Sequence, residues 1–273
     1  MVKNLILTSQ DDLASLNIRE NLLKLDTWKK IGVFNSFPVY ENDKYYMVHI
    51  KGPKIYAENV DKLIEERLKI NFDNIIVASK HKSASKMKTL TVHPIGNWGP
   101  AEYGGMEKTV VPTNPHLMSE ALRLLKKYQL ENYNVSFEAT HHGPYLTKRT
   151  FFIEIGATEE EWRDQKAGEV LANVIMELSE KKYVSLMGFG GGHYVPLLTD
   201  IVLKYRVSMG HMVPKYAIPY IDERVIGEAC EKSNCSGAYI HRKGLKGEER
   251  EKVKEILSSL NLKIYSSKDL EPL

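Results

Sequence analysis

The sequence predicts an α/β fold, a three-layer α/β/α arrangement around a mixed, mostly parallel sheet. Short runs of apolar, β-branched residues alternate along the chain with longer stretches whose apolar residues recur at helical spacing. Parallel strands need crossover helices, so this alternation implies a sheet covered on both faces. No internal repeat or low-complexity linker divides the chain, and residues 1–273 are read as a single domain.

The elements follow in order. Lys3 to Ser9 (KNLILTS) is a first strand, and Leu13, Leu16, Leu22 and Leu23 give the next stretch the spacing of a helix. Lys44 to Ile50 is a strand, Val60 to Leu68 a short helix, and Asn74 to Ser79 a strand rich in β-branched residues. Residues 80–112 lose every period and collect Gly96, Gly99, Gly104 and Gly105 with Pro94, Pro100 and Pro112, which predicts a long functional loop. Asn114-Pro115 opens a helix with Leu117, Ala121, Leu124, Leu125 and Tyr128 on one face. Strands are expected at Tyr133 to Ala139, running into THHGP, and at Phe151 to Ile155. Thr158 and Glu161 pair as a capping box, expected to open a long helix lined by Leu171, Val174, Ile175 and Leu178. A buried strand from Tyr183 to Met187 then enters GFGGGHYVP. A helix (Asp222 to Cys230), a strand (Gly237 to Ile240), a helix (Glu248 to Leu260) and a strand (Leu262 to Tyr265) repeat the theme.

A 42% hydrophobic and 27% charged composition supports a buried core and excludes disorder for most of the chain. The net charge of +3, from 38 Lys and Arg against 35 Asp and Glu, is too small for a whole-surface nucleic-acid field, so any polyanion site must be local. No apolar run reaches the roughly 18 residues of a membrane span, and MVKNLILTSQDD is too short in apolar residues for a signal peptide, so a cytoplasmic protein is expected. Cys230 and Cys235 fit neither a paired zinc scaffold nor a secreted disulfide framework. Both are read as structural, with a local disulfide as the alternative.

In such sheets ligands bind beyond the carboxyl ends of the strands, where both EATHHGP and GFGGGH fall. Six of the nine histidines sit in Gly- or Pro-rich contexts: His81, His93, His141, His142, His193 and His211. Neutral imidazole is the commonest metal ligand, and neighbouring glycine leaves it accessible. Glu138, three residues before His141, is a candidate ligand or general base, or a carboxylate that orients a histidine. Glu154 is the sole charge in FFIEIG and must be paired, protonated or metal-bound. Imidazoles and carboxylates suit a zinc ion with three protein ligands and a water, although no HExxH spacing is present. A GxGxxG pattern begun at Gly188 fails at His193. The N–H groups of Gly190, Gly191 and Gly192 still suit a phosphate or a carbonyl oxygen, which keeps a nucleoside phosphorylase or small-nucleotide binder as the alternative class. No GxSxG elbow exists, Ser208 having Arg206 in the first glycine's place. Lys80, Lys82, Lys86 and Lys88 follow a strand, and Lys148-Arg149 follows HHGP, where they suit phosphates.

Through EATHHGP, FFIEIGATEEEW, GFGGGHYVP, GHMVPKYA and LTVHPIGN the chain resembles the D-aminoacyl-tRNA deacylase family of archaeal and plant type, across nearly its whole length. The resemblance implies a phosphorylase/hydrolase-like fold and hydrolysis of the ester joining a D-amino acid to the 3′ end of tRNA, with zinc as cofactor and broad side-chain tolerance. A monomer is expected. On these motifs Glu138 and His141 are expected to be catalytic, and His142, His193, His211 and Glu154 to hold the metal. His93, Asn97, Gly190, Gly191 and Gly192 are expected to contact substrate. Lys80, Lys82, Lys86, Lys88, Lys148 and Arg149 are expected to hold the tRNA acceptor end.

Overall fold

The computed structural model describes residues 2–83 and 86–273. Ala84 and Ser85, inside the lysine-rich segment, lie outside them. The chain opens with β1 (Lys3–Ser9) and α1 (Leu13–Leu25), then β2 (Lys29–Phe34), β3 (Phe37–Glu41), β4 (Tyr45–Ile50), α2 (Val60–Leu68) and β5 (Phe72–Lys82). Next come β6 (Thr89–Pro94), a small hairpin of β7 (Gly96–Asn97) and β8 (Thr109–Val110), α3 (Pro115–Tyr128), β9 (Asn134–Phe137) and β10 (Arg149–Ala157). The last part holds α4 (Glu159–Trp162), α5 (Gln165–Glu177), β11 (Val184–Phe189), α6 (Pro196–Lys204), β12 (Val207–Val213), α7 (Glu223–Lys232), β13 (Gly237–Ile240), α8 (Gly247–Ser259) and β14 (Lys263–Tyr265).

Two sheets organise these elements. The larger has the order β2-β3-β4-β1-β5-β10-β6-β9 and the smaller β12-β11-β13-β14. The smaller is parallel throughout, and the larger is parallel except at β2–β3, β3–β4 and β10–β6. Strand periodicity sorts its side chains. Ile6, Met47, Ile76 and Ile153 join a core with α1, α3 and α5, while Leu5, Leu7, Val77 and Phe152 join another with Val60 and Ile64 of α2. Helices therefore cover both faces, as the sequence predicts. The smaller sheet gives Leu186, Val207 and Met209 to the first core and packs Met187, Phe189 and Ala238 against α7 and α8. One core thus joins the two sheets, with α3 touching both β6 and β12.

Some expectations need correction. Residues 80–112 do not form one irregular loop, because β6 lies inside the larger sheet between β10 and β9. All six of its residues are buried, which erases the alternation that marks a half-exposed strand. The Thr158/Glu161 capping box is present but opens the short α4, whereas α5 starts from Asp164, whose side chain accepts the Lys166 N–H. The strand expected to reach Ala139 ends at Phe137. GHMVP is no loop at its start, since His211 lies within the fully buried β12. Cys230 and Cys235 form a disulfide, their Cα atoms 5.0 Å apart where α7 ends and turns back.

Candidate active site

The polar end of one sheet face creates the site. On β5 the face that carries Val77 continues with Ser79 and His81, and on β10 the face that carries Phe152 continues with Glu154. Register places Glu154 beside Ser79, and antiparallel β6 sets His93 opposite Phe152. Glu138 follows Phe137, which pairs with Val92, and donates its own N–H to the Val92 carbonyl at 3.1 Å. His193 arrives from the smaller sheet. Its carbonyl accepts the Ala139 N–H at 2.8 Å, and Tyr194 bridges Glu138. The seam between the sheets therefore runs through the site.

These residues meet at the floor of a cavity of about 920 Å³, lined there by His81, His141, His142, Glu154 and His193. Glu138 and His93 lie beneath the floor, both fully buried. Glu138 is ringed by imidazoles: His193 Nε2 stands 2.9 Å from Oε2, His81 Nδ1 3.2 Å from Oε1 and His141 Nε2 3.5 Å from Oε2. None of these approaches is aligned as a hydrogen bond, so both carboxylate oxygens remain buried without a partner. Glu154 Oε2 lies 3.5 Å from His93 Nε2 and 3.7 Å from His81 Nδ1.

The charges divide sharply. Burial disfavours an ionised His81, yet Glu138 and Glu154 outweigh it and raise the imidazole to about 11. Burial likewise opposes charge on His93, and Glu154 overrides it upward. Burial would lift Glu154, but His81 and His93 bring it down to about 2, and His193 and His81 hold Glu138 well below the usual carboxylate range. His141 and His142 move the other way. Burial first, then the neighbouring His93, lowers both, His142 to about 4.

This arrangement fits a metal cation. His93, His141 and His142 each direct Nδ1 at a backbone carbonyl, those of Pro94 (3.1 Å), Ala139 (2.7 Å) and Gly143 (2.6 Å). A carbonyl only accepts, so in the neutral ring Nδ1 carries the proton and Nε2 is left for a ligand. The three rings converge, with centroids 4.2 to 5.0 Å apart. His93 Nε2 and both Glu138 oxygens lack hydrogen-bond partners, as donors awaiting a cation would. His81, Glu138 and His193 form a second group of converging donor atoms, and His93, Glu138 and Glu154 a third.

Several expected site residues stand elsewhere. His211 joins none of these groups: Nε2 donates to the Val111 carbonyl at 3.0 Å, and Nδ1 meets the Thr140 hydroxyl at 3.2 Å. With both nitrogens committed inside β12, it fixes the segment before His141 rather than binding metal. Glu138 is fully buried and does not line the cavity, standing behind the imidazoles that do. His93 is likewise fully buried and does not line the cavity. Asn97 lines the cavity, but its amide donates to the Gly104 and Met106 carbonyls and shapes the loop above. Gly190, Gly191 and Gly192 do not line the cavity. The Gly190 N–H is taken by the Val213 carbonyl, and a Cβ there would meet the His241 carbonyl at 3.1 Å.

Among the basic residues, Lys80 and Lys82 line the cavity, Lys80 Nζ standing 4.9 Å from the Trp162 ring centroid. Lys86 is exposed, and Lys88 is paired with Glu160 and Glu161. Lys148 and Arg149 do not flank the site, because Arg149 starts β10 beside Asn74, at the end of that strand away from Glu154. Lys148 pairs with Glu65 there. His81, which the sequence names only among its six candidate histidines, contacts both carboxylates. Extending the β5 alternation from Val77 through Ser79 would have put it on the same face.

A family model described as D-aminoacyl-tRNA deacylase matches residues 68–265. The chain is 37% identical over 275 residues to the D-aminoacyl-tRNA deacylase of Methanosarcina mazei, covering 97% of this chain and 92% of that one. It is 38% identical over 265 residues to that of Pyrococcus furiosus, covering 94% and 97% respectively. A crystal structure of a conserved protein of unknown function superposes with a TM-score of 0.93 at 29% identity, over 100% of this chain and 99% of the other.

Proposed function

This chain belongs to the D-aminoacyl-tRNA deacylase family, and from that premise we propose how its own residues hydrolyse the ester of D-aminoacyl-tRNA to free D-amino acid and tRNA. One observation carries the reading: His193 lines the cavity, its side chain 37% exposed, while fully buried Glu138 stands 2.9 Å behind its Nε2. A carboxylate this close to an imidazole stabilises the imidazolium that forms when the ring takes a proton. His193 is the base that receives the proton of the attacking water, and Glu138 is its positioning residue. As the ester C–O bond breaks, His193 returns that proton to the departing 3′-oxygen of the ribose.

Zinc is the expected cofactor, and His93, His141 and His142 would hold it through Nε2, with Glu154 against His93. Bound there, zinc would polarise the acyl carbonyl and lower the pKa of water. His81, cationic between Glu138 and Glu154, balances two buried carboxylates that would otherwise repel each other. The relatives' names do not favour the alternative of a nucleoside phosphorylase or small-nucleotide binder, and the Gly190 N–H it would use is taken by the Val213 carbonyl.

The reading extends to a single-domain monomer acting in the cytoplasm, where tRNA is charged. No helix among the described residues is long and apolar enough to cross a membrane. The deciding experiment is hydrolysis of matched D- and L-aminoacyl-tRNAs at equal enzyme. A kcat/KM for the D-form at least about a hundredfold higher is expected, from a clash that repels the L side chain once its ester and amino group are held. Comparable values would return a general esterase to the lead.

A further inference from the structure

The rim of the cavity carries a feature that the floor does not use. Tyr103, Tyr216 and Tyr220 all line the cavity, yet they are 62%, 56% and 46% exposed. Three large aromatic side chains are thus left in water along the lining of one cavity. Their supports are fixed. The Tyr220 ring lies directly on Gly99, where a Cβ would stand 2.8 Å from its Cγ. Tyr103 sits on a loop pinned at three points: the Gly143 N–H donates to its carbonyl at 3.0 Å, the Gly105 N–H to Glu58 at 2.6 Å, and the Asn97 amide to Gly104. Tyr216 and Tyr220 belong to the turn Lys215–Tyr220, whose Ala217 and Ile218 are anchored in the core of the smaller sheet.

Charge accompanies these rings. Lys80 and Lys82 line the same cavity, and Lys82 is exposed. Pre-positioned aromatic faces with nearby cations are the surface that single-stranded nucleic acid recognises, because bases stack on the rings while lysines meet the phosphates. We propose that Tyr103, Tyr216 and Tyr220 form a stacking face for the unpaired 3′-terminal nucleotides of the tRNA, delivering the last ribose and its ester to the histidine floor. The inference rests on the deacylase reading and deepens it by naming what grips the nucleic-acid half of the substrate.

The test uses the full chain with Tyr216→Ala and Tyr220→Ala combined, beside the matching Phe variants, and three probes: D-tyrosyl-tRNA, D-tyrosine ethyl ester, and a short single-stranded RNA ending in CCA. The Ala variant should raise KM for the tRNA substrate about tenfold more than for the ethyl ester and weaken RNA binding by a similar factor, as expected when base stacking is removed. The Phe variants keep the ring and should stay within about twofold of the parent in both measurements. Equal KM changes on the two substrates, or unchanged RNA affinity in the Ala variant, would overturn the stacking face. If the parent protein fails to cleave D-tyrosyl-tRNA, the proposed function falls, and RNA affinity alone decides the stacking face.

Discussion

His193 Nε2 lies 2.9 Å from Glu138 Oε2, although the two residues follow strands of different sheets. The contact exists because backbone hydrogen bonds join residues 137–139 to residues 193–195: Ala139 N–H to the His193 carbonyl, and Val195 N–H to that of Phe137. The imidazole and the carboxylate are thus set by main-chain pairing. That geometry is stiffer than contact between two long side chains.

Glu138→Gln removes the charge but keeps the shape. It should lower kcat on D-aminoacyl-tRNA by roughly 10²- to 10⁴-fold with KM nearly unchanged, because Glu138 lies below the cavity floor and touches no substrate. Steady-state kinetics on the folded, metal-replete variant decides this. A rise in KM at constant kcat would show Glu138 acting in binding instead.

Metal content separates the two histidine assignments. Chelator dialysis should abolish activity and zinc should restore it. His142→Ala should lose bound zinc by elemental analysis, whereas a folded His211→Asn protein should retain it, since His211 spends both nitrogens on Val111 and Thr140. About one zinc per chain would identify the three-imidazole group alone, and about two would add His81, Glu138 and His193.

Acid stability provides a check on His211. Burial lowers its imidazole from the usual 6.5 to about 3. Between those values the unfolded chain binds a proton that the folded chain refuses, so this histidine destabilises the fold increasingly as pH falls below about 6.5. The expected slope is about 1.4 kcal/mol per pH unit. Urea unfolding of parent and His211→Asn proteins from pH 7 to 5 should show a shallower pH dependence in the variant. Parallel curves would mean that His211 takes up its proton within the folded state.

Salt dependence tests the basic residues. Neutralising Lys82 and Lys86 together should reduce the slope of log affinity for tRNA against log salt by about 0.7 for each phosphate of a single-stranded end that a lysine no longer neutralises. Neutralising Lys148 and Arg149, at the far end of β10, should leave the slope unchanged. The opposite pattern would place the acceptor end on the other side of the sheet.

Most of the frame was legible in the sequence because it depends on local periodicity. Lys3 to Ser9, Val60 to Leu68 and Gly237 to Ile240 read as the elements they are, since apolar spacing reports which face is buried. That signal fails where both faces are buried, as in β6 and β12, which hid the strand surroundings of His93 and His211. Family motifs identified the chemistry and drew attention to the right histidines. They did not divide the roles.

By itself, the sequence determined an α/β fold, a deacylase kinship and a polar, histidine-rich edge where strands end. Only tertiary structure decided that Glu138 lies beneath the floor, that His81 bridges two carboxylates, that His211 serves the interior, and that the Gly190 N–H is taken by the backbone of β12. The physical reason is that ligation, ionisation and access depend on distances between residues remote in sequence and on burial. Those quantities exist once the seam between the two sheets has closed.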